Sequence, residues 1–233
     1  MQFSTSALIR LLQFFEQTEK ETYPETPMDV HTEITEMAIK HLHELYPLQE
    51  GVKILDVGCG QGPALRHFRD AGAQATGITL NQIDVDVCRE KGFEVYPMDQ
   101  SFMEFEPESF DIIWARHVIE HSVMPLFTLR EFNRVLKKGG MLYLEVPGAD
   151  TDAGHACNAN HYSVFTRQSW FSLLAKSGFE IIDGQEYRII LENDAGCDYY
   201  WGYYCRCAEH GVRLDESLFH RQKAEMLAQF LRR

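Results

Sequence analysis

Positive charge is scarce in this chain. Lysine and arginine number 22 against 35 aspartate and glutamate, a formal charge of −13. Such a balance repels phosphate backbones and anionic lipid surfaces, so nucleic acid and membrane are not expected as partners. Long apolar runs are missing too. No stretch approaches the roughly 20 residues that a bilayer crossing needs, and the opening MQFSTSALIRLLQFFEQTEK has no basic start followed by an extended apolar run. These absences predict a soluble, cytoplasmic protein. Regular cysteine spacing is absent as well. Cys59, Cys88, Cys157, Cys197, Cys205 and Cys207 are scattered through a mid-sized chain, which favours free thiols over a disulfide framework. There is no internal repeat and no low-complexity tract, so the organisation must be read from alternating strand and helix signals.

Those signals are plain. Residues 5–20 and 30–46 carry the apolar spacing of amphipathic helices, separated by the breaker-rich segment Thr22-Tyr23-Pro24-Glu25-Thr26-Pro27. Beyond Gly51 come short apolar runs, most of them followed by helical stretches: VKILDV, ATGITL, FEVYPM, FDIIWA with the helical LFTLREFNRVLKK after it, and MLYLEVP. This rhythm predicts a parallel sheet with helices on both faces. After Pro147 a loop of about twenty residues precedes the Thr-capped helix TRQSWFSLLAKSG, long enough to contact a substrate. Two more strand-like runs, FEIIDGQEYRII and YYWGYYCRC, follow. Residues 214–231 have one apolar stripe and predict a closing helix. The chain thus divides into an N-terminal helical cap (1–50), a catalytic α/β domain (51–210) and a C-terminal helix packed on it (211–233).

The sharpest motif is Leu55-Asp56-Val57-Gly58-Cys59-Gly60-Gln61-Gly62, an apolar strand running into a glycine-rich turn and then a helix that Pro63 can open. Gly58 and Gly60 permit a backbone approach that a Cβ would block. The turn matches neither G-x-x-x-x-G-K-[ST] nor the dinucleotide spacing, which points to a nucleoside without phosphates.

This motif resembles the first motif of the class I S-adenosylmethionine-dependent methyltransferases. The resemblance runs in register over residues 51–183, through Ser109-Phe110-Asp111-Ile112-Ile113, the HVIEH run, Arg130 to Gly140, and Gly178-Phe179-Glu180. It implies a doubly wound, Rossmann-like, seven-stranded and mainly parallel sheet with the last strand antiparallel. It also implies S-adenosylmethionine as cofactor and a small-molecule acceptor methylated on O, N or C. By resemblance, Asp56 with the backbone at Gly58, Cys59, Gly60 and Gly62 would hold the methionine end. Thr79, Leu80 and Gln82 would meet the ribose, Asp99 and Gln100 the adenine, and Ser101 and Phe102 would flank the ring; Arg116 and His117 would complete the seat. The family usually ends its second strand with a carboxylate, whereas this chain has Thr79 there. Gln82 is the candidate for the missing acceptor. The stretch Gly77-Ile78-Thr79-Leu80 also looks like that of cyclopropane fatty acid synthases, which makes methylene transfer an alternative. A cofactor-binding regulator without catalysis is another.

Chemistry is expected beyond strands four and five, because open parallel sheets bind ligands at the carboxyl ends of their strands. His161, His121 and Glu120 are the candidate catalytic residues, since a near-neutral imidazole suits removal of a proton from the acceptor. His117 and His121, four apart, would share a helical face, and with Glu120 or His161 they offer a competing metal reading; no metal is expected. Cys205 and Cys207 fall on one face of a strand, where packing is the ordinary role, and Cys197 and His210 add no zinc spacing. The tyrosines and tryptophan of residues 199–204 would line a pocket or fill a strand interface. Oligomeric state is not legible.

Overall fold

The computed structural model describes residues 4–18, 29–191 and 196–208. Tyr23 and the helix expected over 214–231 lie outside them. Two helices, α1 (Thr5–Thr18) and α2 (Asp29–Leu45), precede the alternating part. That part comprises β1 (Lys53–Val57), α3 (Pro63–Asp70), β2 (Gln74–Thr79), α4 (Gln82–Glu90), β3 (Glu94–Pro97), β4 (Phe110–Arg116), α5 (Pro125–Val135) and β5 (Leu136–Pro147). It closes with α6 (Arg167–Lys176), β6 (Phe179–Ile190) and β7 (Cys197–Cys207). The strands form one seven-stranded sheet in the order β3-β2-β1-β4-β5-β7-β6, with β7 antiparallel to both neighbours and the remaining pairs parallel. No helix among the described residues is long and apolar enough to cross a membrane.

Alternation along the strands builds two cores. Leu55, Val57, Ile113, Ala115, Leu142 and Leu144 face α5 and α6, where Leu129, Phe132, Trp170 and Leu174 close over them. Ile54, Ile112, Trp114, Met141 and Tyr143 face the other way, against Ile34, Ala38, Leu42 and Phe68 of α2 and α3. Trp114 stacks on Tyr143, with ring centroids 4.2 Å apart. Cys205 and Cys207 are buried in the first core, Trp201 and Tyr203 beside them, and Tyr204 in the second. The six cysteines are free thiols.

Two local readings need correction. The apolar periodicity of LFTLREFNRVLKK suggests a helix through Lys138, yet α5 ends at Val135 and β5 already begins at Leu136. Glycines at 139 and 140 end the helical option: Gly139 has φ +74°, and a Cβ on Gly140 would lie 2.7 Å from the Asp111 carbonyl. Nor do His117 and His121 share a helical face. His117 is left-handed, with φ +53°, and only Ile119–His121 forms a 3₁₀ turn, so the two residues are not one helical turn apart, although both line the same cleft.

Candidate active site

The sheet order reverses between β1 and β4, the position where open α/β sheets leave a crevice at the carboxyl ends of their strands. A cleft is found there. Val57, Gly58 and Gly60 line it from β1, Ile78, Thr79, Leu80 and Asn81 from β2, and Met98, Asp99 and Gln100 from β3. His117, Val118 and His121 follow β4, Asp84 comes from α4, Asn160 and Tyr162 from the long loop after β5, and Thr18 from the end of α1.

The glycine-rich turn is pinned rather than loose. The backbone N–H groups of Gly58 and Cys59 both donate to the Ile78 carbonyl, at 2.9 and 3.1 Å. Gly58 therefore contributes room, not a donor. Its φ is +68°, and a Cβ there would meet Val118 Cγ2 at 2.7 Å. After β3, the Ser101 N–H donates to Asp99 Oδ1 at 2.6 Å. Burial pushes the Asp99 carboxyl up, while that bond opposes the rise. Gln100 donates from its side-chain amide to the Val118 carbonyl at 2.8 Å, joining the β3 loop to the β4 loop.

Several of the expected residues are placed elsewhere. Asp56, Cys59 and Gly62 are not among the lining residues; Asp56 and Cys59 are buried, and Gly62 caps α3 in the left-handed conformation. Gln82 is turned to the helix surface, where its amide donates to Asp86 at 2.8 Å. Ser101 is buried and bonded to Thr128, and Phe102 packs edge-on against Phe15 of α1. Arg116 lies under the cleft wall: its Nε donates to Glu145 Oε1 at 2.8 Å, Nη1 to Thr35 at 3.1 Å and Nη2 to His31 Nδ1 at 3.3 Å. Sequence reasoning missed Asn81 and Asp84, whereas Asn160 and Tyr162 belong to the loop after Pro147 that was expected to contact the substrate.

Beyond β4, His121 lines the cleft and His161 packs edge-on against it, centroids 4.8 Å apart. His121 Nδ1 is 2.9 Å from the Asn160 carbonyl. A carbonyl only accepts, so Nδ1 carries the hydrogen and Nε2 the lone pair. Burial holds the His121 pKa below the ordinary imidazole value, against the pull of the Asn160 bond. Burial, with His121 and His155 nearby, takes His161 to about 4, and its Nε2 lies 3.2 Å from the Asn158 amide nitrogen. The ligating atoms of Glu120, His121 and His161 come within 4.8 Å of one another. The grouping puts His161 rather than His117 beside the pair, with separations of up to 4.8 Å, wider than two ligands of one ion bound at about 2.1 Å can have.

His117 instead joins a buried polar centre. Its Nε2 is 2.7 Å from Glu145 Oε1, and Tyr200 stacks on its ring at 4.3 Å. Burial first, then Arg116, lowers the His117 pKa to about 4, although Glu145 works against them. Burial alone would raise the Glu145 carboxyl, but Arg116, His117 and Tyr143 hold it at about 2. The signs add. Between pH 6.5 and 4 the unfolded chain takes up a proton at His117 that the folded one refuses. Below the usual carboxylate range the same holds for Glu145, so stability falls as the pH falls. The His117 contribution between neutral pH and pH 4.5 is about 2 kcal/mol. Urea unfolding at those two pH values should show the loss, and an unchanged midpoint would rule out a neutral, buried His117.

Among the described residues, the lining includes two carboxylates, Asp84 and Asp99, and no lysine or arginine. A pyrophosphate would be repelled there. A nucleoside with a sulfonium and an ammonium group, cationic overall, suits this field, so the residues present fit S-adenosylmethionine.

Comparison with known proteins agrees with this geometry. The profile of a family described as a methyltransferase domain matches residues 29–183. The chain is 30% identical over 137 residues to 27-O-demethylrifamycin SV methyltransferase of Amycolatopsis mediterranei (strain S699), which covers 52% of this chain and 50% of that protein. It is likewise 30% identical over 125 residues to ubiquinone biosynthesis O-methyltransferase of Stutzerimonas stutzeri (strain A1501), covering 46% of this chain and 54% of the relative. The chain thus spans about half the length of the curated relatives it matches. Among solved structures, the [4+2]-cyclase SpnF superposes with a TM-score of 0.63 at 22% identity, over 81% of this chain and 85% of that one. Since the matched profile covers about two thirds of the chain, including strands β1 to β5 and all of the cleft lining except Thr18, the chain belongs to the methyltransferase-domain family, the class I enzymes that depend on S-adenosylmethionine.

Proposed function

We propose that the protein transfers the methyl group of S-adenosylmethionine to oxygen, nitrogen or carbon of a small-molecule acceptor. The observation that carries this reading is His121: it lines the cleft at the β1–β4 reversal, whose described lining holds no lysine or arginine, and has its tautomer set by the Asn160 carbonyl. The cofactor supplies a methyl group already activated on a sulfonium. The chain's tasks are then to align the acceptor, exclude water and take up a proton. His121 Nε2 is the proposed proton acceptor. His161 and Glu120 hold its surroundings, and Asn160 and Tyr162 form the acceptor's wall. The acceptor in the name of the rifamycin relative, and the ubiquinone biosynthesis in the name of the other, support this class of substrate.

Calorimetry with S-adenosylhomocysteine, followed by labelled-methyl assays over hydroxylated, amine and lipid acceptors, tests the proposal. Binding with turnover on a soluble acceptor is expected. Turnover confined to unsaturated lipid would indicate methylene transfer, binding without any turnover a regulator, and the absence of binding would remove the assignment altogether.

A further inference from the structure

The ribose of the cofactor presents two vicinal hydroxyls, both donors, and a carboxylate can accept both at once. At the end of β2 this chain has Thr79, whose single oxygen already lies 3.5 Å from the Asn81 N–H. The neighbouring side chains are committed. Leu80 is apolar, Asn81 accepts from the Ile83 N–H at 3.0 Å as the cap of α4, and Gln82 donates to Asp86 on the exposed surface. Asp99, the other lining carboxylate, sits after β3 and is engaged by Ser101.

We propose that Asp84, in the first turn of α4, supplies the carboxylate that accepts the ribose hydroxyls, so that the group usually borne by β2 is delivered here by the following helix. This rests on the cofactor reading above and names the residue that completes its seat. Asp84 is 1% exposed and yet lines the cleft beside Thr79 and Gly60. The phase of the helix explains the placement. Cys88, four residues on and therefore on the same face, donates its thiol to the Gly60 carbonyl at 3.3 Å, so this face of α4 is turned toward the glycine-rich turn. Val85 and Cys88 pack with Cys59, Leu65 and Val95 and hold the helix in that orientation. A carboxylate in the first turn is also favoured by the helix dipole, which offsets part of the cost of burying it.

The test is calorimetry with S-adenosylhomocysteine and its 2′-deoxy and 3′-deoxy analogues, on wild type and Asp84→Asn. For wild type, each deoxy analogue should bind roughly tenfold more weakly than the parent, the range expected for a bond to a charged acceptor. For Asp84→Asn, the parent should weaken by roughly tenfold or more, and the deoxy penalty should shrink toward unity. Thr79→Asp placed on Asp84→Asn should recover affinity by returning a carboxylate to β2. If Asp84→Asn does not fold, Asp84→Ser serves for the same comparison. A variant that binds the parent like wild type and keeps the full deoxy penalty overturns the role of Asp84. Wild type that binds none of the three overturns the cofactor reading instead.

Discussion

Replacing Glu145 with alanine should destabilise the fold by about 3–5 kcal/mol, the usual loss when one member of a buried ion pair is removed. Glu145 is fully buried, and its two oxygens take Arg116, His117 and the Tyr143 hydroxyl. Alanine leaves the Arg116 guanidinium, itself only 12% exposed, with Thr35 and His31 as its remaining side-chain partners. Glutamine keeps the shape and some of the bonds, so it should cost less. Removing both charges, as Arg116→Met with Glu145→Leu, should recover much of the deficit because no unpaired ion is left behind. Urea denaturation of the four proteins measures this directly. A Glu145→Ala loss below about 1 kcal/mol would mean that water reaches the pair and screens it.

His121→Ala should lower turnover roughly a hundredfold or more, the lower range for loss of a positioned proton acceptor. The affinity for S-adenosylhomocysteine should change far less, because the imidazole serves the acceptor side of the cleft. Added free imidazole should restore part of the rate by filling the space left by the side chain. A merely structural histidine would give neither the split between turnover and cofactor affinity nor the rescue. Turnover within a few-fold of wild type would move the proton-accepting role elsewhere in the wall.

The sheet and the glycine-rich turn were legible in the sequence because their signals are local. Apolar runs of strand length alternate with helical stretches, and Gly58 stands where any larger residue would strike Val118. Thr79 was legible as a departure from the family pattern, but its remedy was not. Gln82 looked suitable by proximity along the chain, whereas helical phase turns it outward and brings Asp84 inward. Asn160 was legible as part of the long loop after β5, but its bond to His121 was not. It sits in a loop without periodicity, and only folding sets its carbonyl against His121. The extra length of β5 escaped because Lys137 and Lys138 continue a helical rhythm that the glycines after them interrupt.

β7 lies within the sheet, between β5 and β6, and among the described residues β6 has no other strand partner. During synthesis, a nascent chain that has emerged only through Ile190 therefore exposes β6 and one side of β5 with their ladder groups unmatched, the condition that invites association with other chains. Closure of the sheet awaits the aromatic segment 197–207, so assembly of the mature architecture is tied to translation of its last strand.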